Sequence, residues 1–320
     1  MLMPSMSARV FSVGMMVLGT GAVYGQEFPN KPIRIVAPGP GGQSDFAARL
    51  IAQELTESLP QQVIVDSRPA GVVPGEVVFR SPPDGYTLLV SGNNLWITPL
   101  FQKTPYDPLR DFSPISLTNR QPNILVVHPS LPVKSVRELI ALARARPGEL
   151  NYTSAATGSS SHIAAELFKY MTGVNIVRIP YKTSATEMAD LVGGHVQLTF
   201  GTTASVLPHV KSGKLRALAV TSAQTSVLFP DLPTVAASGV PGYEAGSMAG
   251  LFAPAKTPEA IINRLNQDVV RVLNKADVKE RFFRAGVETV GSSVEELSTV
   301  MKSEVARLSK VIKDADIRAD

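Results

Sequence analysis

Short apolar runs separated by helix-length stretches constrain this chain more than any other feature. Residues 33–37 read as a strand and lead into the turn-rich Pro38-Gly39-Pro40-Gly41-Gly42. A helix is then expected over about 44–59, with Phe46, Ala47, Leu50, Ile51 and Leu55 on one face. Strands follow at 62–65 and 87–90, the latter entered through Pro82-Pro83-Asp84-Gly85. A second cycle places strands at 124–127, 151–154, 175–179, 196–200 and 215–220. Its helices begin at Ser135, whose Glu138 completes a capping box, at Ser159 or Ser160, at 185–192 and at 205–211. Such alternation implies an α/β chain with mainly parallel sheets wound between helices.

The remainder sets the organisation. At 320 residues the chain exceeds what one core usually serves, so two lobes are expected. Residues 225–243, rich in Pro, Gly and Ser, read as a connection. Beyond it come a strand at 250–253, helices at 258–273, 276–285 and 294–314, and a strand at 288–290. That tail is too poor in strands to stand alone and is expected to pack back on the first lobe. Lobe 1 is then 26–124 plus 246–320 and lobe 2 is 125–245. The chain crosses between them twice, near 122–126 and 240–248, which makes a hinge and a closable cleft.

Residues 1–25 differ in character. Arg9 is the only charge before Glu27, residues 10–23 are apolar and small, and the run ends Ala22-Val23-Tyr24-Gly25. This is the pattern of a secretory signal peptide, and the apolar run is shorter than the ~20 residues a membrane span needs. The chain has no cysteine, which excludes disulfides, thiolate metal sites, thiol catalysis and a lipid-bearing lipobox. A soluble, exported, periplasmic protein follows. The net charge of +4 is spread out, without a Lys/Arg run, so nucleic-acid binding is not expected.

Two loops carry the candidate chemistry, because ligands of open α/β sheets sit beyond the carboxyl ends of strands. The first is Pro38, Gly39, Pro40, Gly41, Gly42, Gln43, Ser44 and Asp45; the second runs from Ser154 through Ala155, Ala156, Thr157, Gly158, Ser159, Ser160 and Ser161 to His162. Each opens a helix, whose first N–H groups and dipole suit an anion. Judged alone, the first reads rather as an ordinary strand-to-helix turn, and the second is compatible with either reading. The first loop lacks the Gly-Lys-Ser/Thr of a P-loop and the spacing of Gly-x-Gly-x-x-Gly. Gly-x-Ser-x-Gly and His-Glu-x-x-His are absent, so no catalytic residue, metal or cofactor is expected. Lys182 is a further cationic candidate at a strand end, Arg68 reads as a loop brace, and Trp96 beside Asn93 and Asn94 is either a stacking platform or core.

Ordered motifs along the chain resemble the extracytoplasmic receptors of tripartite tricarboxylate transporters, the Bug or TctC family. They include Pro29-Asn30-Lys31-Pro32-Ile33-Arg34, Pro-Gly-Gly-x-x-Asp at 40–45, Pro83-Asp84-Gly85-Tyr86-Thr87 and Tyr106-Asp107-Pro108-Leu109-Arg110-Asp111-Phe112. Pro147-Gly148-Glu149-Leu150-Asn151-Tyr152, Ile179-Pro180-Tyr181-Lys182 and Asp231-Leu232-Pro233-Thr234-Val235 continue the series. The resemblance implies a two-lobed periplasmic binding protein of type II-like build. It would close on a small organic acid, a di- or aromatic carboxylate, and deliver it to a membrane permease. It would be a monomer and not an enzyme, with a signalling subunit for a membrane kinase as the alternative. The two loops become opposed jaws, the expected contacts being those at 38–45, Asn93, Ser154, Ala156, Thr157, Gly158, Ser159, Ser160, His162, Lys182, Gly201 and Thr202. Three departures stand out: Gly39 for a proline, the altered stretch 68–75, and Gly201 where many members carry an aspartate. The last of these disfavours amino acids, whose ammonium would lack its partner.

Overall fold

Alternating apolar residues build the sheet from its first strand. The computed structural model describes residues 28–39, 43–69, 71–154, 159–181 and 184–314; the expected signal peptide lies outside them. Strand β1 (Ile33–Pro38) is followed by helix α1 (Gln43–Ser58), β2 (Val63–Arg68), α2 (Val73–Phe79), β3 (Thr87–Gly92) and the short α3 (Asn94–Ile97). β1 pairs in parallel with both β2 and β3. Helix α2 was not anticipated, because Pro74-Gly75 reads as a breaker. Pro74 falls in the first turn, where its missing N–H costs nothing.

The long strand β4 (Phe112–Val127) organises everything after it. Only its last four residues were legible. Polar residues and Pro114 and Pro122 obscure the rest, yet Ser116, Thr118, Asn119 and Asn123 are fully buried there. Neighbours absorb part of that polarity: Ser116 donates to the Ser292 carbonyl at 2.9 Å and Thr118 to that of Ala249 at 2.9 Å, while Asn119 Nδ2 and Asn123 Oδ1 have no hydrogen-bond partner among the described residues. The register shifts between Pro114 and Ser116, an irregularity of the kind that accommodates proline inside a sheet.

Then come α4 (Val136–Ala145), β5 (Asn151–Ser154), α5 (Ser160–Thr172), β6 (Val177–Pro180), α6 (Ser184–Val192), β7 (Leu198–Thr202), α7 (Thr203–Lys211) and β8 (Arg216–Val220). The chain ends with β9 (Gly246–Pro254), α8 (Glu259–Leu273), α9 (Ala276–Arg284), β10 (Glu288–Thr289) and α10 (Val294–Asp314). The caps follow the sequence: Ser135 accepts from the Glu138 amide, Ser159 from the His162 amide, and Gly173 closes α5 at φ 69°.

Strand order is β2-β1-β3-β9-β4-β7-β5-β6, with β8 and β10 also on β4. β5 pairs in parallel with β6 and β7, whereas β9 runs antiparallel to β3 and β4, and β7 and β8 antiparallel to β4. The sheet is therefore mixed, with a parallel set in each half joined by antiparallel strands, and not mainly parallel. β4 changes partners along its length: Phe112 to Pro122 face β9, and Asn123 to Val127 face β7 and β8. Pro122, which has no N–H to give a ladder, stands at the change.

Helices α8 and α9 bury Leu265, Val269, Val272 and Phe282 in the same core as Ile33, Ile35 and Ile51. Leu297 and Met301 of α10 join Trp96, Phe252 and Leu117 on the other face. Leu265 is fully buried, so Leu265→Ala should cost about 2–5 kcal/mol. Urea unfolding checks this. A loss below about 0.5 kcal/mol would show that the C-terminal helices are not part of that core.

Candidate functional site

The starts of α1 and α5, more than a hundred residues apart in sequence, open on one cleft. Its volume is about 250 Å³. The β1–α1 connection contributes Pro38, Gly39, Gln43, Ser44 and Asp45, and the start of α5 contributes Ser159 and Ser160. Gly92, Asn93 and Asn94 follow β3, and Ser247 opens β9. Two helix N-termini thus turn the positive ends of their dipoles toward one space.

Polar side chains fix the walls. Asp45, 4% exposed, accepts from Arg49 Nε at 2.9 Å and Ser67 Oγ at 2.8 Å, so its carboxylate ties α1 to β2. Asn93 donates to the Gly246 carbonyl at 3.1 Å and to Glu304 Oε1 at 3.4 Å. Gln43 Oε1 accepts from Ser247 Oγ at 2.7 Å, while its Nε2 is buried with no hydrogen-bond partner among the described residues. Ser160 Oγ lies 3.4 Å from Asn123 Nδ2, which also donates to the Phe200 carbonyl at 2.7 Å. Among the described lining residues there is no Lys, Arg or His, and the one acid, Asp45, is paired. The described walls offer neutral donors.

Other expected contacts lie elsewhere. Ser154 is fully buried and accepts from Arg178 Nε at 2.8 Å. His162 is buried inside α5. Thr202 bonds Ser205 at 3.1 Å and, like Gly201, does not border the cleft. Pro40, Gly41, Gly42, Ala156, Thr157, Gly158 and Lys182 lie outside the described residues. Arg68 pairs with Asp66 at 2.8 Å, the bracing role its sequence suggested.

Trp96 is core, not a stacking platform. It is fully buried, edge-on to Phe252 at 6.1 Å, and donates Nε1–H to Glu304 at 2.5 Å. Burial raises the Glu304 pKa above its ordinary 4.5, against the bonds from Trp96 and Asn93 and the charge of Arg307.

Gly92, Asn94 and Ser247 were missed. The first two obey the strand-end rule that marked the loops, and a Cβ on Gly92 would lie 2.9 Å from Asn94 Oδ1. Ser247 could not be found that way. β9 is antiparallel to β3, so its amino end, not its carboxyl end, reaches the cleft.

Two predictions follow from these contacts. A Cβ on Gly201 would stand 2.4 Å from Val206 Cγ1, so Gly201→Ala should destabilise by about 1–3 kcal/mol; a neutral result in urea unfolding would contradict the packing. For Glu304, a folded pKa above the unfolded one means the native state binds the proton more readily. Its contribution is fully present below about pH 4.5 and is lost as pH rises through the folded value. Wild-type stability measured against Glu304→Gln should therefore decline from acid to neutral pH. A rising difference would reverse the assignment.

Comparison with known proteins follows the same lines. The family model described as "Tripartite tricarboxylate transporter family receptor" matches residues 47–317. Protein BugT of Bordetella pertussis is 36% identical over 298 residues, covering 91% of this chain and 91% of its own. The structure of R. palustris Rpa4515 with adipate is 38% identical at TM-score 0.76, covering 92% of this chain and 100% of that one. A TctC solute-binding protein from Polaromonas superposes at TM-score 0.82 with 27% identity, over 90% of this chain and 99% of the other. MatC from Rhodopseudomonas palustris, with bound malate, gives 0.71 and 28% over 89% and 100%.

Proposed function

The chain belongs to the tripartite tricarboxylate transporter receptor family, whose members are periplasmic solute-binding proteins and not enzymes, and we propose that it captures a small aliphatic dicarboxylate for delivery to a membrane permease. The observation that carries this reading is the convergence of two helix N-termini on a cleft whose described walls hold no free charge. Backbone amides and neutral donors at opposed ends suit a solute with a carboxylate at each end.

Size and composition narrow the class. A space of about 250 Å³ is below the ~300–1,000 Å³ of drug-sized pockets and fits a compact solute. No aromatic ring lines the described cleft, and Trp96 is committed to the core, which favours an aliphatic acid over an aromatic one. The relatives with adipate and malate carry acids of this kind.

The mechanism is closure. Lobe 1 (26–124 plus 246–320) carries the α1 jaw and lobe 2 (125–245) the α5 jaw. The chain passes between them where β4 changes partners at Pro122 and Asn123 and where it returns into Gly246. A dicarboxylate touching both jaws binds better when they meet, and that difference in affinity drives the closed state. Residues 1–25 direct export and are removed, and no helix among the described residues is long and apolar enough to cross a membrane.

A thermal-shift series of mono-, di- and tricarboxylates, aromatic acids and amino acids tests the ligand class. A ligand at 100 times its Kd adds about 2.7 kcal/mol, or roughly 5–10 °C at ~2–4 °C per kcal/mol for a chain of this size. Adipate or a near homologue should give that shift, and Ser159→Trp should abolish it while lowering the unliganded melting temperature by only the roughly 2–8 °C that loss of the α5 cap implies. A shift that survives Ser159→Trp would place the ligand elsewhere. A shift only from neutral or amino compounds would overturn the acid reading.

A further inference from the structure

We infer that the side-chain carbonyl of Asn93 is the specificity-determining acceptor of the cleft, and that it selects a dicarboxylate bearing a hydroxyl on the carbon next to one carboxylate. The inference rests on the reading of the cleft as an acid site and adds which acid that site prefers.

Every other polar group of Asn93 is already committed. Its backbone amide donates to the Met248 carbonyl at 2.9 Å, and its backbone carbonyl accepts from the Trp96 and Ile97 amides at 3.2 and 3.0 Å. Its Nδ2 donates to the Gly246 carbonyl at 3.1 Å and to Glu304 Oε1 at 3.4 Å. A peptide carbonyl can only accept, so Gly246 settles which end of the carboxamide is the nitrogen. Oδ1 is the atom left over. The buried side-chain atoms without a partner among the described residues are Gln43 Nε2, Asn119 Nδ2 and Asn123 Oδ1. Asn93 Oδ1 is not one of them, so solvent reaches it. Asn93 borders the cleft, whereas Gly246 and Glu304 border the neighbouring cavity where the chain returns. The two ends of a carboxamide diverge, so with Nδ2 turned to that pair Oδ1 is turned to the cleft.

An acceptor among donors asks for a hydrogen from the solute, and a carboxylate has none to give. An ammonium would need a counter-charge, and the one acid of the described walls, Asp45, is paired with Arg49. An amide in place of a carboxylate would forfeit charge-assisted bonds at a helix start. A hydroxyl supplies the hydrogen and takes nothing from either carboxylate. Its position on the solute follows from the fold. β3 lies beside β1, and a Cβ on Gly92 would stand 3.7 Å from Ser44 Oγ, so Asn93 follows a residue packed against the start of α1. A carboxylate held at that helix start brings its neighbouring carbon to Oδ1.

Isothermal titration with two ligand sets tests this: succinate, 2-fluorosuccinate and each enantiomer of malate, and adipate, 2-fluoroadipate and each enantiomer of 2-hydroxyadipate. Fluorine matches a hydroxyl in size and carries no hydrogen. In the chain length that binds, one enantiomer of the hydroxy acid should exceed both the plain and the fluoro acid about three- to tenfold, the worth of one hydrogen bond. Asn93→Ala should bring the hydroxy and plain acids within about twofold of each other. That ratio is taken within one variant, so any loss of stability cancels from it.

A hydroxy acid that binds wild type no better than its fluoro analogue would overturn the inference, with no variant needed. A preference that survives in Asn93→Ala would overturn it as well, because the hydroxyl would then be read elsewhere in a cleft that still takes acids. If wild type binds no dicarboxylate of either set, the reading of the cleft as an acid site fails first, and this inference with it.

Discussion

Everything in this molecule hangs on one strand that joins the two halves of its sheet. Up to Pro122, β4 is sealed against β9; from Asn123 it is sealed against β7 and β8. The change needs a residue that gives no N–H to either side and a neighbour that satisfies its own groups locally. Pro122 meets the first need. Asn123 meets the second through Thr221, whose Oγ1 accepts from the Asn123 amide at 2.8 Å and whose amide donates to the Asn123 carbonyl at 2.9 Å. Thr221 in turn accepts from the Ala245 amide at 2.9 Å as the chain comes back. The outgoing and returning passes are therefore clipped together at one point, and the two jaws are carried on either side of it.

That clip explains why the jaws face each other. β1 and β3 end at the same edge of the first half, and α1 starts where β1 stops. β5 ends at the corresponding edge of the second half, and α5 starts there. Because β9 runs antiparallel to β3, Ser247 reaches the same edge from the opposite chain direction. Asp45 then fixes the first helix start by bonding Arg49 on its own helix and Ser67 on β2, and Asn123 contacts the second through Ser160. The cleft is shaped by strand ends, and its donors are held by groups already committed to the fold.

Periodic apolar segments made the helices readable nearly to the residue. The heptad-like faces of α1, α8 and α10 have no competing interpretation, and Ser135 and Ser159 announce their caps. What escaped was polar and non-local. Residues 113–123 of β4 carry Ser, Thr, Asn and two prolines, and the buried ones among them find acceptors far away in sequence: Thr118 at Ala249, Ser116 at Ser292 and Asn123 at Phe200. α2 hid behind Pro74-Gly75 because a first-turn proline and a breaker look alike in one dimension. Gly201 was legible as a departure from a family pattern, but its meaning lay in Val206, which closes the space a side chain would need. The two helix starts that border the cleft were visible as strand-to-helix loops; Ser247 was not, because strand direction is a property of the sheet and not of the segment.

On the proposed function, the neutral donors of the described cleft walls suit both capture and release. A lysine in the cleft would attract an acid from beyond contact distance and hold it in the open form nearly as well as in the closed one, since charge acts over a Debye length of about 8 Å at physiological salt. Hydrogen bonds to backbone amides and neutral side chains act only at about 3 Å. In the proposed cycle, one jaw alone then binds a diacid weakly, and the second set of bonds forms only when the jaws meet. A ligand shifts a two-state equilibrium by no more than its differential affinity for the two states. Donors that vanish on opening put nearly all of their binding energy into that difference. In the proposed cycle, a permease that pries the jaws apart removes one whole set of bonds at once, and the solute leaves a site that no longer holds it.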